Sequence, residues 1–220
     1  MPDYFPVFLD LRGRRCLVVG GGPIGERKAV ALRQYGARVV VVSPTLTPAL
    51  AVLAGAGGLE HHARAFRRAD VRGCTLVVAA TGREGVDRAV AAAAHAHRAL
   101  VNVVDRPVDC DVIMPSVLRR GELQIAVSTG GRSPALARDI RQSLEPLFAA
   151  DLAGIVERAG HERARGRSRA ATPTVRAQAG ERAARRALLG FPPGAPHLLR
   201  KSRSDAPGRR WSPRGGSASR

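Results

Sequence analysis

Residues 18–29 read VVGGGPIGERKA, and no other stretch limits the fold as strongly. An apolar run ends in Gly20, Gly21 and Gly22, a fourth glycine follows at 25, and Glu26, Arg27 and Lys28 open a helical pattern. Gly20-x-Gly22-x-x-Gly25 after a strand is the dinucleotide fingerprint. One glycine makes a tight turn, one lets the backbone approach a pyrophosphate, and one lets the helix pack closely on the strand. The helix N-terminus adds unpaired N–H groups and partial positive charge. Alone, the same glycines would also suit a tight turn with no ligand.

The flanking chain supplies the context. RCLVVG (15–20), ARVVVVS (37–43), CTLVVAAT (74–81) and LVNVVD (100–105) read as buried strands, and LEHHARAF (59–66) as an edge strand. Helical patterns lie at 26–36, 48–58 and 85–99. Strands alternating with helices specify an α/β chain with a Rossmann-type, doubly wound parallel sheet over residues 1–112. Aromatic residues are only 4% of the chain, so its core must be built from Val, Leu, Ile and Ala.

The pattern then changes. A small α+β region covers 113–148, with one strand-like run, LQIAVS (123–128), a Gly-Gly turn, and an amphipathic helix at 135–148 carrying Leu136, Ile140, Leu144 and Leu147 on one side. A helical segment follows at 149–165. Residues 166–220 are rich in Arg, Ala, Gly, Pro and Ser and read as a basic, largely disordered tail, with a marginal helix at 181–190. A shifted reading frame in a GC-rich gene would give the same bias.

The net charge of +18 invites a nucleic-acid partner, but residues 151–220 carry +11 of it. Phe191 and Trp211 are the only stacking residues there, poor material for binding single strands. No apolar run reaches the 18 or so residues of a membrane span, and the N-terminus lacks a basic signal region. Cys16, Cys74 and Cys110 lack CxxC spacing and read as small buried hydrophobes in a reducing cytoplasm. His61, His62, His95 and His97 do not form a metal set, so no metal ligand is assigned.

Two positions bear on chemistry. Ser43 ends the second strand, where NAD sites usually carry an acid for the ribose hydroxyls, and a serine can hydrogen-bond there. NAD is favoured over NADP. Asp105 closes the last strand at the edge where doubly wound sheets bind ligands, or it starts the turn before Pro107.

FPVFLDLRGRRCLVVGGGPIGERKA, VVVVSP, AAT (79–81), NVVD (102–105), IMPS (113–116) and AVSTGGRSPALARDIR (126–141) together resemble the precorrin-2 dehydrogenases, the amino-terminal module of siroheme synthases. The likeness runs from about residue 4 to about 150. It implies NAD-dependent oxidation of precorrin-2 to sirohydrochlorin by a cytoplasmic homodimer, with 113–148 as the dimerisation region. In some members it also implies insertion of iron (or cobalt) into sirohydrochlorin. It places NAD on Gly20, Gly22, Pro23, Ile24 and Gly25, on Ser43, Pro44 and Thr45, and on Thr81. It makes Asp105 the catalytic aspartate, and Asn102, Ser116, Thr129, Arg132 and Ser133 the substrate-binding set. Thr129 stands where one branch carries a phosphorylated serine. With the basic tail at its end, this chain is not expected to carry a methyltransferase domain.

Precorrin-2 carries eight carboxylate arms, and Arg106, Arg119, Arg120, Arg132, Arg138 and Arg141 after the last strand suit such an anion. The alternative is a non-catalytic NAD-binding regulatory domain. Such domains normally close the second strand with an acid, so Ser43, NVVD and GGRSP favour the enzyme.

Overall fold

The computed structural model describes residues 3–148, 152–169 and 181. Apart from residue 181, the expected helix at 181–190 and the tail beyond it lie outside these residues. Strands β1 (Arg15–Val19), β2 (Arg38–Val42), β3 (Glu60–His62), β4 (Leu76–Ala79) and β5 (Leu100–Val103) form one parallel sheet in the order β3-β2-β1-β4-β5. Leu17 of β1 pairs with Val40 of β2 on one side and Val77 of β4 on the other.

Alternate residues of each strand enter different cores. Leu17, Val19, Val40, Val42, Val77 and Ala79 pack with Val90 and Ala94 of α3 (Glu84–Ala96). Cys16, Val18, Val39, Val41 and Val78 pack with Ala29 and Leu32 of α1 (Pro23–Gln34) and Leu50 of α2 (Pro48–Gly55). A strand buried on both faces needs an unbroken apolar run, which is what β1, β2 and β4 are. Each fully buried Val or Leu contributes about 1.5–3 kcal/mol before the entropy of ordering is set against it. Helices therefore cover both faces. The chain crosses from one to the other between β1 and β4, and the switch point falls at their carboxyl ends, beside Gly20.

Several boundaries differ from those the sequence suggests. Helix α1 starts at Pro23, three residues before the charged segment, because proline suits the first helical position, where no N–H is needed. The edge strand β3 is three residues long. Strand β5 ends at Val103, so Asp105 lies in the following turn and does not close the strand. A hairpin of β6 (Ser116–Arg120) and β7 (Leu123–Val127) replaces the single expected strand. Its first arm, SVLRR, has too few apolar residues to show as a run. Helix α4 (Pro134–Leu144) stops short of 148, since Pro146 sits in a separate turn at Glu145–Leu147. Helix α5 spans Leu152–Arg169.

The chain forms two compact units, Met1–Ser116 with Ala126–Ile140, and Val117–Ile125 with Arg141 onward. In the second, Arg120 Nε donates to the Phe148 carbonyl at 2.9 Å, and Leu118, Leu152 and Ile155 are buried. No helix among the described residues is long and apolar enough to cross a membrane.

Candidate functional site

The glycines at the switch point divide their work. Gly20 has φ +117°, and a Cβ there would lie 2.3 Å from the Ala80 carbonyl oxygen of the loop after β4. A Cβ on Gly25 would lie 2.0 Å from the Gly20 carbonyl oxygen, so glycine lets α1 approach β1. Gly21, not singled out from sequence, is equally tight: its Cβ would stand 2.1 Å from the Thr45 carbonyl oxygen. Gly22 alone among these four has open space, with nothing within 4 Å of its Cβ position. It is the N-cap of α1 yet has no side chain to cap the helix. Exposed backbone beside an uncapped helix start is the cradle a dinucleotide pyrophosphate requires, so these residues fit an NAD(P) cofactor.

The loop after β2 is tied to this cradle. The Thr47 N–H donates to the Gly21 carbonyl at 2.9 Å, and its hydroxyl donates to Glu26 Oε2 at 2.5 Å. Ser43 is buried, with its carbonyl 3.0 Å from His61 Nε2, whereas Pro44 and Thr45 are exposed. Pro23 and Ile24 are exposed on the first turn of α1. Thr81, across the switch point, is held by buried Asp87. Its hydroxyl donates to Asp87 Oδ1 at 2.7 Å and its N–H to the same oxygen at 3.2 Å. Asp87 lies in the alanine-rich helix, where its only sequence signal is an acid within the first turn.

Asp105 is exposed and has φ +59°, a left-handed conformation that costs most residues about 1–2 kcal/mol and that Asp tolerates better than most. The loop that holds it there is heavily pinned. Cys110 Sγ accepts the Val103 N–H at 3.1 Å, and Asn102 Nδ2 donates to the Val112 carbonyl at 3.0 Å. Asp111 Oδ2 accepts the Val101 N–H at 3.1 Å, and the Tyr4 hydroxyl donates to the Pro107 carbonyl at 3.1 Å. Arg106 is paired twice, with Nε on Asp109 at 2.5 Å and Nη1 on Glu84 at 2.9 Å, tying the loop to the start of α3. Cys16 and Cys74 are buried as expected, but Cys110 is a half-buried loop fastener whose thiol burial pushes upward in pKa.

A cavity of about 290 Å³ in the first unit is lined by Arg27, Met114, Ser116, Ser128, Thr129 and Arg138 among others. The structure thus brings Ser116 and Thr129 together. Asn102 does not line the cavity; it is 7% exposed, and its Nδ2 donates to the Val112 carbonyl. Ser133 Oγ caps α4 by accepting the Leu136 N–H at 3.2 Å, and the Thr129 hydroxyl exchanges hydrogen bonds with the Ser133 backbone. Arg132 is exposed. Arg27 and Arg138 join the site, although only Arg138 had a sequence signal, as one of the basic residues after β5. Three of the four histidines serve local partners: His61 the Ser43 carbonyl, His62 Glu60 at 2.7 Å, and His95 Asp111 at 3.3 Å.

Known proteins share this arrangement. The family model for NAD(P)-binding matches residues 7–116, and that for the sirohaem biosynthesis protein central region matches 120–147. The siroheme synthase of Thioalkalivibrio sulfidiphilus is 48% identical over 158 residues, covering 70% of this chain and 32% of that protein. Siroheme synthase 1 of Aeromonas salmonicida is 43% identical over 180 residues, covering 82% and 38%. The chain therefore spans about a third of the length of these curated relatives. Among solved structures, SirC, a precorrin-2 dehydrogenase, superposes with a TM-score of 0.66 at 26% identity, over 81% of this chain and 88% of that one. With the glycine cradle, the pinned aspartate loop and these likenesses together, the chain belongs to the NAD(P)-binding family of siroheme biosynthesis, that of precorrin-2 dehydrogenase and the amino-terminal module of siroheme synthase.

Proposed function

We infer that this chain oxidises precorrin-2 to sirohydrochlorin with NAD. The observation that carries this reading is the pairing of an open Gly22 cradle at the switch point, after β1, with Asp105 on a pinned loop after β5, two strands along the sheet. The likeness to SirC supplies the substrate. When bound, NAD would supply the hydride acceptor for this oxidation.

The protein's own part begins with binding. The backbone of Gly20, Gly22 and Gly25 and the first turn of α1 receive the pyrophosphate, with Pro23 and Ile24 against the dinucleotide. Ser43, Pro44 and Thr45 receive the adenosine ribose, and Thr81 closes the site from β4. Asp105 takes the proton that leaves as the hydride departs. Its exposed carboxylate on a pinned loop is placed to act as a base without the loop moving. Ser116, Thr129 and Arg132 face the substrate, while Asn102 and Ser133 act through the loops they hold.

Two further assignments accompany this reading. The same Asp105 can accept a pyrrole proton during insertion of iron or cobalt as a second substrate. The working form is a homodimer, consistent with exposed Phe5, Phe8 and Val108 at 84%, 70% and 81%. Anaerobic incubation with precorrin-2 and NAD, followed by addition of metal, tests the first. NADH and sirohydrochlorin should form in equal amounts, and the metallated product should appear only after metal is added. Light scattering tests the second, with a mass of two chains expected and a mass of one contradicting it.

A further inference from the structure

Lys28 is the unexplained charge at this site. It lies on α1 one turn after the glycine cradle, is half-buried, and is not among the residues assigned to the cofactor. Among the described residues its ammonium has one recorded hydrogen-bond acceptor, the Met114 thioether at 3.1 Å. A thioether is a weak acceptor, and a desolvated ammonium normally finds a carboxylate or several carbonyls. Burial and the adjacent Arg27 make the positive charge costly, pushing the Lys28 pKa below its ordinary value, while Cys110 and Asp105 partly offset this. Met114 itself lines the 290 Å³ cavity with Arg27 and Arg138. The ammonium thus stands behind one flexible side chain at the wall of a cavity that already holds two guanidinium groups.

We propose that this cavity is a carboxylate subsite whose central charge is Lys28, with Met114 as a soft placeholder that a substrate carboxylate displaces. Methionine suits that role because its unbranched thioether changes rotamer at little cost. A carboxylate entering between Lys28, Arg27 and Arg138 gives the ammonium the hard acceptor it lacks, and the hydroxyl of Ser116 lies on the same wall. The charge of Asp105 favours the Lys28 ammonium, so an arm held here would anchor the macrocycle within the field of that carboxylate. The proposal rests on the reading that the substrate is a polycarboxylate tetrapyrrole.

The test is Lys28→Met in the full chain, with Lys28→Arg beside it. Methionine keeps the chain length and removes a poorly satisfied charge, so the variant should fold. Equilibrium binding of sirohydrochlorin, measured without NAD, should weaken on the order of 10–100-fold, the worth of a charge-assisted hydrogen bond. The KM for precorrin-2 should rise by a similar factor, kcat should fall less, and NAD affinity should not change. Lys28→Arg should recover part of the loss. Sirohydrochlorin binding within twofold of wild type in folded Lys28→Met would overturn the proposal while leaving the dehydrogenase reading intact. A parallel loss of NAD affinity would also overturn it, by moving Lys28 to the cofactor. A wild-type protein that neither oxidises precorrin-2 nor binds sirohydrochlorin would remove the functional reading and this proposal with it.

Discussion

Gly20 and Gly22 stand two residues apart and would meet a new side chain in opposite ways. A Cβ at Gly20 strikes the Ala80 carbonyl and must adopt φ +117°, so Gly20→Ala should destabilise the fold by about 3 kcal/mol. At Gly22 there is room, and the backbone already has N-cap geometry with φ −79° and ψ −176°. Aspartate is a good N-cap, so Gly22→Asp should leave stability unchanged or raise it by about 0.3 kcal/mol. It also puts a negative charge where the pyrophosphate must lie, and NAD binding should be lost. Thermal unfolding and NAD titration on the same two variants separate these effects. Retained NAD affinity in Gly22→Asp would place the cofactor elsewhere. This contrast is not visible in a run of identical glycines. The fingerprint marks the turn, but only the neighbours of each Cβ show which glycine serves packing and which faces the ligand. Lys28 was equally hidden, since a lysine in a charged helix start looks solvated until Met114 is found against its ammonium.

At the scale of elements, loops hold the site and the sheet holds the loops. Asp87 shows how, because one buried carboxylate fixes both the N–H and the hydroxyl of Thr81. Asp87→Ala leaves the Thr81 N–H without its acceptor and should cost about 1–3 kcal/mol in urea unfolding, with weaker NAD binding as the loop relaxes. A loss under 0.5 kcal/mol, taken as a rough threshold, would show that the loop holds itself. A second tie lies before β4, where Asp70 pairs with Arg64 at 2.6 Å. The Arg64 guanidinium holds the Asp70 carboxyl below its ordinary value against the opposing effect of burial, and the Arg67 N–H adds to this. The pair's contribution is therefore full above the unfolded value of about 4 and is lost as pH falls through the folded one. Asp70→Asn should flatten the acid limb of the stability profile below about pH 4 and leave its shape near neutrality unchanged. An unaltered acid limb would assign the acid sensitivity to other groups. The strands of the sheet are legible in sequence because both faces are buried, which forces unbroken apolar runs. Strand β6 is not, because SVLRR becomes a strand only through pairing with β7. Nor does sequence show the left-handed turn at Asp105, which depends on Cys110, Asn102 and Asp111 holding the loop from outside.

For the whole molecule, the chain carries the NAD(P)-binding and central regions, and its match spans about a third of the length of its curated relatives. Within the described residues, the glycine cradle, Asp105 on its pinned loop and the cavity lined by Arg27 and Arg138 all belong to the first unit. Binding of NAD alone would be equally compatible with a regulatory domain, so turnover is the deciding property. The most direct measurement is single-turnover formation of NADH from precorrin-2 and NAD under anaerobic conditions, wild type beside Asp105→Asn. Asparagine tolerates the left-handed backbone as aspartate does, so the loop should survive and only the base is removed. Wild type should form one NADH per sirohydrochlorin, and Asp105→Asn should be slower by roughly 10²–10⁴-fold with unchanged NAD affinity. A wild-type protein that binds NAD and forms no NADH, or an Asp105→Asn protein within a few-fold of wild type, would contradict it.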